Sequence, residues 1–536
     1  MLMAAVMFVL LIACANVANL QFARGAERQK EFAVRTALGA SRWRVVRQLL
    51  TESLVLSLAG AVAGLGIAAW GVELILHYMP ADIARYIAGW YQIQLDARAF
   101  AFALGLAVVA GIVSGLAPAI QSSRPDLNET LKESGRGTSA GRSRQRVRSV
   151  LVVSELALAL VLLTGAGLMV TGLKSLLGVR QPYDPQHVLS IELNLPDGKY
   201  KEPQKLAAFY GQVLAQLQYE PEIQAAALVR SLPYGNGRHV VQLGVEGVPV
   251  EKGEYRSAQS ETISPNYFQL MRIPLREGRL LTGQDGAESL PVAVVSERMA
   301  RRYWPGQSAL GRRIKAGAAD SEKPWLTIVG VAGEIQYDWL DKEPPPVLYQ
   351  SYRQAPEGWT TLAIRSHGDP RRIVAAVRGQ VAKVDPDQPL AAIKTLDRVM
   401  TDSVLGLSYV AVMMTILGVI ALALSAIGVT GLMAYAVTER THEIGVRLAL
   451  GAQRDSVLRM LVGRGMLLAG IGLAIGLTGS IFLARLLSSL IFGVSATDWA
   501  TFGGVLAAMA AVALAASYIP ARRAARLDPT IALRHE

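Results

Sequence analysis

Residues 409–436 read YVAVMMTILGVIALALSAIGVTGLMAYA, twenty-eight positions without a charged side chain. About 20 apolar residues suffice for a helix to cross the hydrocarbon core of a bilayer. Directly behind this run, residues 439–452 turn abruptly polar and basic as ERTHEIGVRLALGA. Working outwards, six further runs have the same length and character: Met1–Leu20, Leu50–Leu76, Ala99–Ile120, Val150–Leu173, Met466–Leu490 and Ala500–Ile519. They explain why only 18% of the 536 residues are charged, against roughly 25% in soluble domains. The expected fold class is an α-helical transmembrane bundle of about seven spans with one extracytoplasmic mixed α/β domain.

The net charge of +12 is informative through its placement. Residues 22–48 and 121–148 carry seven Lys or Arg each, 437–464 carry five and the tail from Arg522 carries four, whereas 78–98 carry two and 493–499 none. Rich and poor loops alternate along the chain. By the positive-inside rule the rich loops and the C-terminus lie in the cytoplasm. The N-terminus, 78–98, 174–407 and 493–499 then lie outside. The basic charge thus reads as orientation and contact with the lipid bilayer, not as nucleic-acid binding. Segment 174–407 holds 28 basic and 26 acidic residues, a balance that suits an ordinary folded domain, and its length can bury a core. Cys14 is the single cysteine, so no internal disulfide and no cysteine metal cluster can form; it reads as a small packing residue.

The chain also repeats itself. ERQKEFAVRTALGA (27–40) and ERTHEIGVRLALGA (439–452) share nine of fourteen positions at an offset of 412. PAIQSSRPDLNETLKES (118–134) and PARRAARLDPTIALRHE (520–536) align at 402, matching Pro118/Pro520, Arg124/Arg526, Asp126/Asp528 and Leu131/Leu533. Two matches at nearly one offset define two halves. The expected organisation is an incomplete three-span half over 1–133, a basic flexible linker over 134–148, a span over 149–173, the folded domain over 174–407 and a second three-span half over 408–536. The second half carries a leading span and a domain that the first half lacks, so the chain reads as an N-terminally shortened version of a longer duplicated protein.

Within each repeat a glutamate and an arginine stand four apart, Glu31 with Arg35 and Glu443 with Arg447. On a helix they share a face in the favourable order. Apolar Phe32/Ile444, Val34/Val446 and Leu38/Leu450 wind around it, Gly39 and Gly451 suit its C-terminal stop, and Ser41 or Asp455 suits the cap of the next helix. The expected product is a short helix on the membrane surface stiffly joined to a span. In the folded domain, strands are expected at Val188–Leu195, Ala225–Val229, Val240–Val245, Val292–Val295, Leu326–Val331, Val347–Gln350 and Thr361–Arg365. Helices are expected at Gln204–Leu217, Ser296–Tyr303 and Pro370–Val384, with Ser296 as an N-cap.

EFAVRTALGASRWRVVRQLLTESL and EIGVRLALGAQRDSVLRMLVGRGMLL resemble the cytoplasmic signature of the MacB/FtsX-like permease family, and the tail PARRAARLDPTIALRHE is similar to that family's C-terminus. SPNYFQLMRIPLREGR (264–279) and PVAVVSERMARRYWPGQSALGRRI (291–314) resemble its periplasmic core domain. The resemblance implies a permease of the bacterial cytoplasmic (inner) membrane that works with a separate ABC ATPase, for efflux or export, with a periplasmic adaptor or effector as a further partner. ATPase contact then falls on Glu31, Arg35, Leu38, Gly39, Glu443, Arg447, Leu450 and Gly451. The alternative within the family is an FtsX-like signalling protein that activates a periplasmic hydrolase or sensor.

Catalysis finds no motif to carry it. The sequence contains no G-x-x-x-x-G-K-[ST] and no H-E-x-x-H, so no cofactor or metal is expected on this chain, and ATP with Mg belongs to the partner. Glu52, Glu73, Glu155 and Arg485 lie inside or beside spans, and all four are expected to reach an interface by snorkelling. A secondary carrier usually needs such groups near the midplane, so that class is set aside.

Overall fold

A computed structural model describes the chain except residues 29–30, 32–33, 36–37, 39–40, 80–89, 91–92, 94–95, 123–138, 179–182, 236, 248–255, 340, 342, 440–445, 447–449, 451–452, 487–497 and 526–536, and except the side chains of 26–27, 117, 121–122, 139–144, 439, 486 and 524–525. Two compact units result. Met1–Lys174 with Leu407–Glu536 forms one, and Ser175–Gly406 forms the other.

The first unit is a helical bundle. Its helices are α1 (Leu2–Glu27), α2 (Arg42–Tyr78), α3 (Ala97–Ser122) and α4 (Ser139–Gly178), followed after the second unit by α11 (Leu405–Glu439), α12 (Arg454–Leu486) and α13 (Trp499–Ala525). Among the described residues seven helices are long and apolar enough to span a membrane. Helices are the form such segments take because lipid offers the backbone no hydrogen-bond partner. Of the expected flexible linker over 134–148, residues 134–138 lie outside the described residues, while Ser139–Arg148 is the first part of α4. Once the apolar run behind it nucleates a helix, each added residue costs little, and Arg and Gln are good helix formers.

The halves pack alike at their last two helices. In the second half a β-carbon on Gly465 of α12 would lie 2.4 Å from Ser517 Oγ of α13. In the first half a β-carbon on Gly115 of α3 would lie 2.6 Å from Ser53 Oγ of α2. Ser53 and Gly465 are 412 apart, and Gly115 and Ser517 are 402 apart. The same close crossing is built twice with glycine and serine exchanged, which agrees with the general use of small residues where membrane helices approach. Pro118 and Pro520, another repeat pair, each sit inside the helix near its end.

A shared core joins Ile12 of α1, Leu156 and Leu160 of α4, Met414 and Met433 of α11, Leu461 of α12 and Met509 of α13. Its hub is α4, whose most apolar window is 61% buried, whereas that of α2 is 0% buried.

The second unit is one twelve-stranded sheet flanked by helices. In chain order its strands are β1 (Val188–Asn194), β2 (Ile223–Val229), β3 (Val240–Gln242), β4 (Gly244–Val245), β5 (Ser257–Ile263), β6 (Leu275–Gly278), β7 (Val292–Ser296), β8 (Arg313–Lys315), β9 (Leu326–Ala332), β10 (Val347–Ser351), β11 (Trp359–Ser366) and β12 (Ala391–Thr395). They lie in the order β12-β1-β11-β2-β5-β10-β7-β9-β8-β4, with β3 on β5 and β6 on β9. Among the described residues only β10/β5 and β7/β9 run parallel. The helices are α5 (Asp197–Tyr200), α6 (Pro203–Leu217), α7 (Tyr267–Met271), α8 (Glu297–Tyr303), α9 (Val374–Val384) and α10 (Leu396–Ser403). Phe209, Val213 and Leu217 of α6 and Val377 and Val381 of α9 cover Ile191, Leu228 and Ile364 on one face. Tyr267, Phe268 and Tyr349 fill the other.

All seven expected strands are present, and Val240–Val245 proves to be two strands that pair with different partners. Ser296 caps α8, its Oγ accepting the Met299 N–H at 3.3 Å. Pro370–Val384 is helical only from Val374. The main omission is β5, SAQSETI, which is buried from Ala258 to Ile263 although four of those six residues are polar. Hydrophobic periodicity cannot register such a strand. Its polar atoms are held by neighbours: Glu261 accepts the Ser231 N–H at 2.8 Å and a Gln259 Nε2–H at 2.6 Å. Burial pushes the Glu261 carboxyl up to about 8.

Candidate functional site

The repeated polar segments follow α1 and α11, and each shows one helical backbone bond among its described residues. Leu38 N–H donates to Val34 C=O at 3.0 Å, and Leu450 N–H donates to Val446 C=O at 2.9 Å. That i→i−4 bond, the same in both copies, leaves both leucine side chains 83% exposed. Val34, one turn earlier, is also exposed. An exposed leucine held by the same backbone bond is thus common to both copies.

The first base is a closed ring of five side chains. Arg28 Nε lies 2.7 Å from Glu31 Oε2, and Arg28 Nη1 donates to both Glu52 oxygens at 3.1 and 3.2 Å. Glu31 Oε1 is 2.6 Å from Arg35 Nη2. Arg35 Nη1 donates to Gln48 Oε1 at 2.7 Å, and Gln48 Nε2 donates to Glu52 Oε1 at 3.1 Å. The hydrogen bond from Arg28 holds the Glu31 carboxyl below the usual carboxylate range, so the ring keeps its charges. Because Gln48 and Glu52 belong to α2, the ring fastens the turn that bears Leu38 to that helix. A single exposed ion pair contributes little, but a network with several shared partners fixes geometry.

Of the sequence-predicted residues, the structure thus joins Glu31 to Arg35 and exposes Leu38 and Leu450. Gly39, Glu443, Arg447 and Gly451 lie outside the described residues. Ser41 occupies the N-cap position of α2 but makes no side-chain cap bond, and Asp455 falls in the first turn of α12, not at its cap. Sequence reasoning missed Arg28, Gln48 and Glu52. The available signal was the i,i+4 spacing of Gln48 and Glu52 at the polar end of a span. The second half carries Met460 and Arg464 at the repeat positions of Gln48 and Glu52, so the Gln48 and Glu52 side chains of this ring are not repeated there.

A second polar site lies inside the bundle. Glu155 of α4 is fully buried and does not snorkel, contrary to expectation. Asn19 Nδ2 of α1 donates to Glu155 Oε1 at 3.4 Å, Ser425 Oγ of α11 donates to the Glu155 carbonyl at 3.3 Å, and Asn16 Nδ2 donates to Leu424 C=O at 3.0 Å. A β-carbon on Gly428 would come within 2.0 Å of Glu155 Oε2, so glycine gives the carboxyl its room. The polar groups draw α1, α4 and α11 together.

Two family models match the chain. The FtsX-like permease C-terminal model covers residues 3–127 and 415–529, and the MacB-like periplasmic core domain model covers 149–393. The chain belongs to the MacB/FtsX-like permease family. The FtsX-like model falls on the two halves related by the internal repeat, and the core-domain model falls on most of α4 and the sheet domain behind it. The chain is 28% identical over 308 residues to the macrolide export ATP-binding/permease protein MacB of Sodalis glossinidius, covering 51% of this chain and 43% of that protein. It is 27% identical over 299 residues to the uncharacterized ABC transporter permease YknZ of Bacillus subtilis, covering 53% of this chain and 73% of that one. The chain spans less than half the length of the MacB relatives it matches. The solved periplasmic region of MacB from Actinobacillus actinomycetemcomitans aligns at 15% identity and a TM-score of 0.28, over 40% of this chain and 92% of that one.

Proposed function

We propose that this chain is the membrane subunit of an ABC-type exporter, with ATP and Mg handled by a separate ATPase that docks on the two repeated turns. The paired leucines carry the reading. Two side chains on equivalent turns of a duplicated permease, each 83% exposed, fit a partner that touches both halves at once. The ring from Arg28 to Glu52 would then transmit partner movement into α2 without slack. Lys and Arg placement supports the orientation, with residues 22–48 and 437–464 in the cytoplasm and 174–407 in the periplasm of the inner membrane. The MacB relatives are named for macrolide export, which supports export as the activity, and a periplasmic adaptor or effector would meet the sheet domain.

The test is retention of the ATPase that co-purifies with the parent chain from native membranes. Burying one leucine contributes about 1.5–3 kcal/mol. Leu38→Asp with Leu450→Asp should therefore weaken retention by roughly a hundredfold or more, while the variant still reaches the membrane. Undiminished retention would defeat the docking assignment.

A further inference from the structure

α4 holds α1 and α11 at two levels. Glu155 marks the deeper one, bonded to Asn19 of α1 and Ser425 of α11. Arg148 stands seven residues earlier in the same helix. Seven residues return a helix to within about 20° of the same face, about 10 Å away along its axis. Both residues therefore look towards the same two neighbours.

Arg148 sits where α4 enters its apolar run, and a long basic side chain at such a place ordinarily extends its charge to water or headgroups. Arg146, two residues earlier, is exposed. Arg148 is only 4% exposed. Its guanidinium carbon lies 3.7 Å from the ring centroid of Tyr435 on α11 and 5.6 Å from that of Phe22 on α1. A cation within about 6 Å of a ring centroid is attracted by the ring face, and more strongly once water is removed. One buried cation thus touches a helix from each half of the duplicated chain. The rings occupy nearly equivalent places, since the repeat counterpart of Tyr435 is Ala23, next to Phe22. Phe22 lies five residues before the end of α1 and Tyr435 four before the end of α11. Behind those ends come the segments that carry Leu38 and Leu450.

We infer that Arg148 is a positioning residue for ATPase docking: it clamps the cytoplasmic ends of α1 and α11 through Phe22 and Tyr435, and so fixes the spacing at which Leu38 and Leu450 meet one partner. The inference rests on the docking reading above. A partner that binds two linked sites makes its second contact at an effective concentration set by how well their spacing is held. Loosening the clamp lowers that concentration and leaves each single contact as it was.

The experiment uses the full chain with Cys14→Ala, purified without ATPase into nanodiscs of phosphatidylethanolamine and phosphatidylglycerol. Spin labels are placed at Arg24→Cys on α1 and Thr438→Cys on α11, both exposed positions. Pulsed electron resonance should give one narrow distance peak. Arg148→Met should lose that peak, and so should Tyr435→Leu, which leaves the arginine in place. Tyr435→Phe keeps the ring face and should keep the peak, as should Arg146→Met, which removes the same charge from an exposed site. In parallel, Arg148→Met should weaken ATPase binding about tenfold through the lower effective concentration. It should weaken binding no further in a chain that already carries Leu450→Asp, where one leucine alone engages. The clamp would be overturned by an unchanged peak in Arg148→Met and Tyr435→Leu, by equal loss of the peak in Arg146→Met or Tyr435→Phe, or by an undiminished effect of Arg148→Met on top of Leu450→Asp. The distance measurement needs no ATPase. Failure of the docking reading would therefore show separately, as full ATPase retention by the Leu38→Asp, Leu450→Asp chain.

Discussion

Exchanging the two residues at one helix crossing tests whether the halves share one packing plan. Gly465→Ser places a β-carbon 2.4 Å from Ser517 Oγ, 3.0 Å from Ser517 Cβ and 3.2 Å from Met433 Sδ. Overpacking of this kind costs about 1–3 kcal/mol. Adding Ser517→Gly removes the first two contacts and recreates the arrangement of Ser53 on Gly115. In that arrangement Ser53 Oγ donates to the Leu49 carbonyl at 3.0 Å, and Leu461 is the repeat counterpart of Leu49. Ser517 Oγ, by contrast, is buried without a hydrogen-bond partner among the described residues. The exchange therefore relieves an unsatisfied hydroxyl, worth about 1 kcal/mol or more. Unfolding in a graded SDS titration should show the Gly465→Ser single variant destabilised and the double variant equal to or above the parent. The coupling between the two sites should be about 1–3 kcal/mol. Additive losses, with the double variant worst of all, would refute the shared register and with it the repeat offsets of 412 and 402.

Three further outcomes are expected. Glu52→Gln opens the ring at Arg28 with under about 1 kcal/mol lost in stability, yet it should lower ATP-driven transport more than ATPase binding, measured side by side in proteoliposomes; equal losses would mean the ring does not transmit motion. Glu155→Ala should cost about 2–4 kcal/mol, combining a cavity with an abandoned asparagine, while Glu155→Gln keeps most of the stability in the same SDS titration. Glu261, with its carboxyl raised to about 8 from an ordinary value of 4.5, is protonated in both states below pH 4.5 and costs nothing there. As pH rises towards 8 the unfolded chain releases the proton first, so the sheet domain should lose up to about 1.4 kcal/mol per pH unit. Hydrogen exchange of β5 in the full chain, corrected for intrinsic rate, should show this slope in the parent and its absence in Glu261→Gln.

Much of the molecule was legible as sequence because the relevant physics is local. A run such as 409–436 must be helical wherever lipid surrounds it, since its backbone has no other hydrogen-bond partner. β-branched alternation located seven strands, and the repeat located both surface turns. The exposure of Leu38 and Leu450 follows from their place in that repeat, but only the shared backbone bond to Val34 and Val446 establishes it. What lay beyond the sequence depends on who stands next to whom. Strand β5 looks polar because its partners satisfy it. Glu155 looks free to reach solvent until Asn19 and Ser425 enclose it. Arg146 and Arg148 are the same residue two positions apart on one helix, and tertiary structure alone distinguishes them, because an arginine's role is set by what surrounds its guanidinium: the first lies exposed, and two aromatic rings face the second.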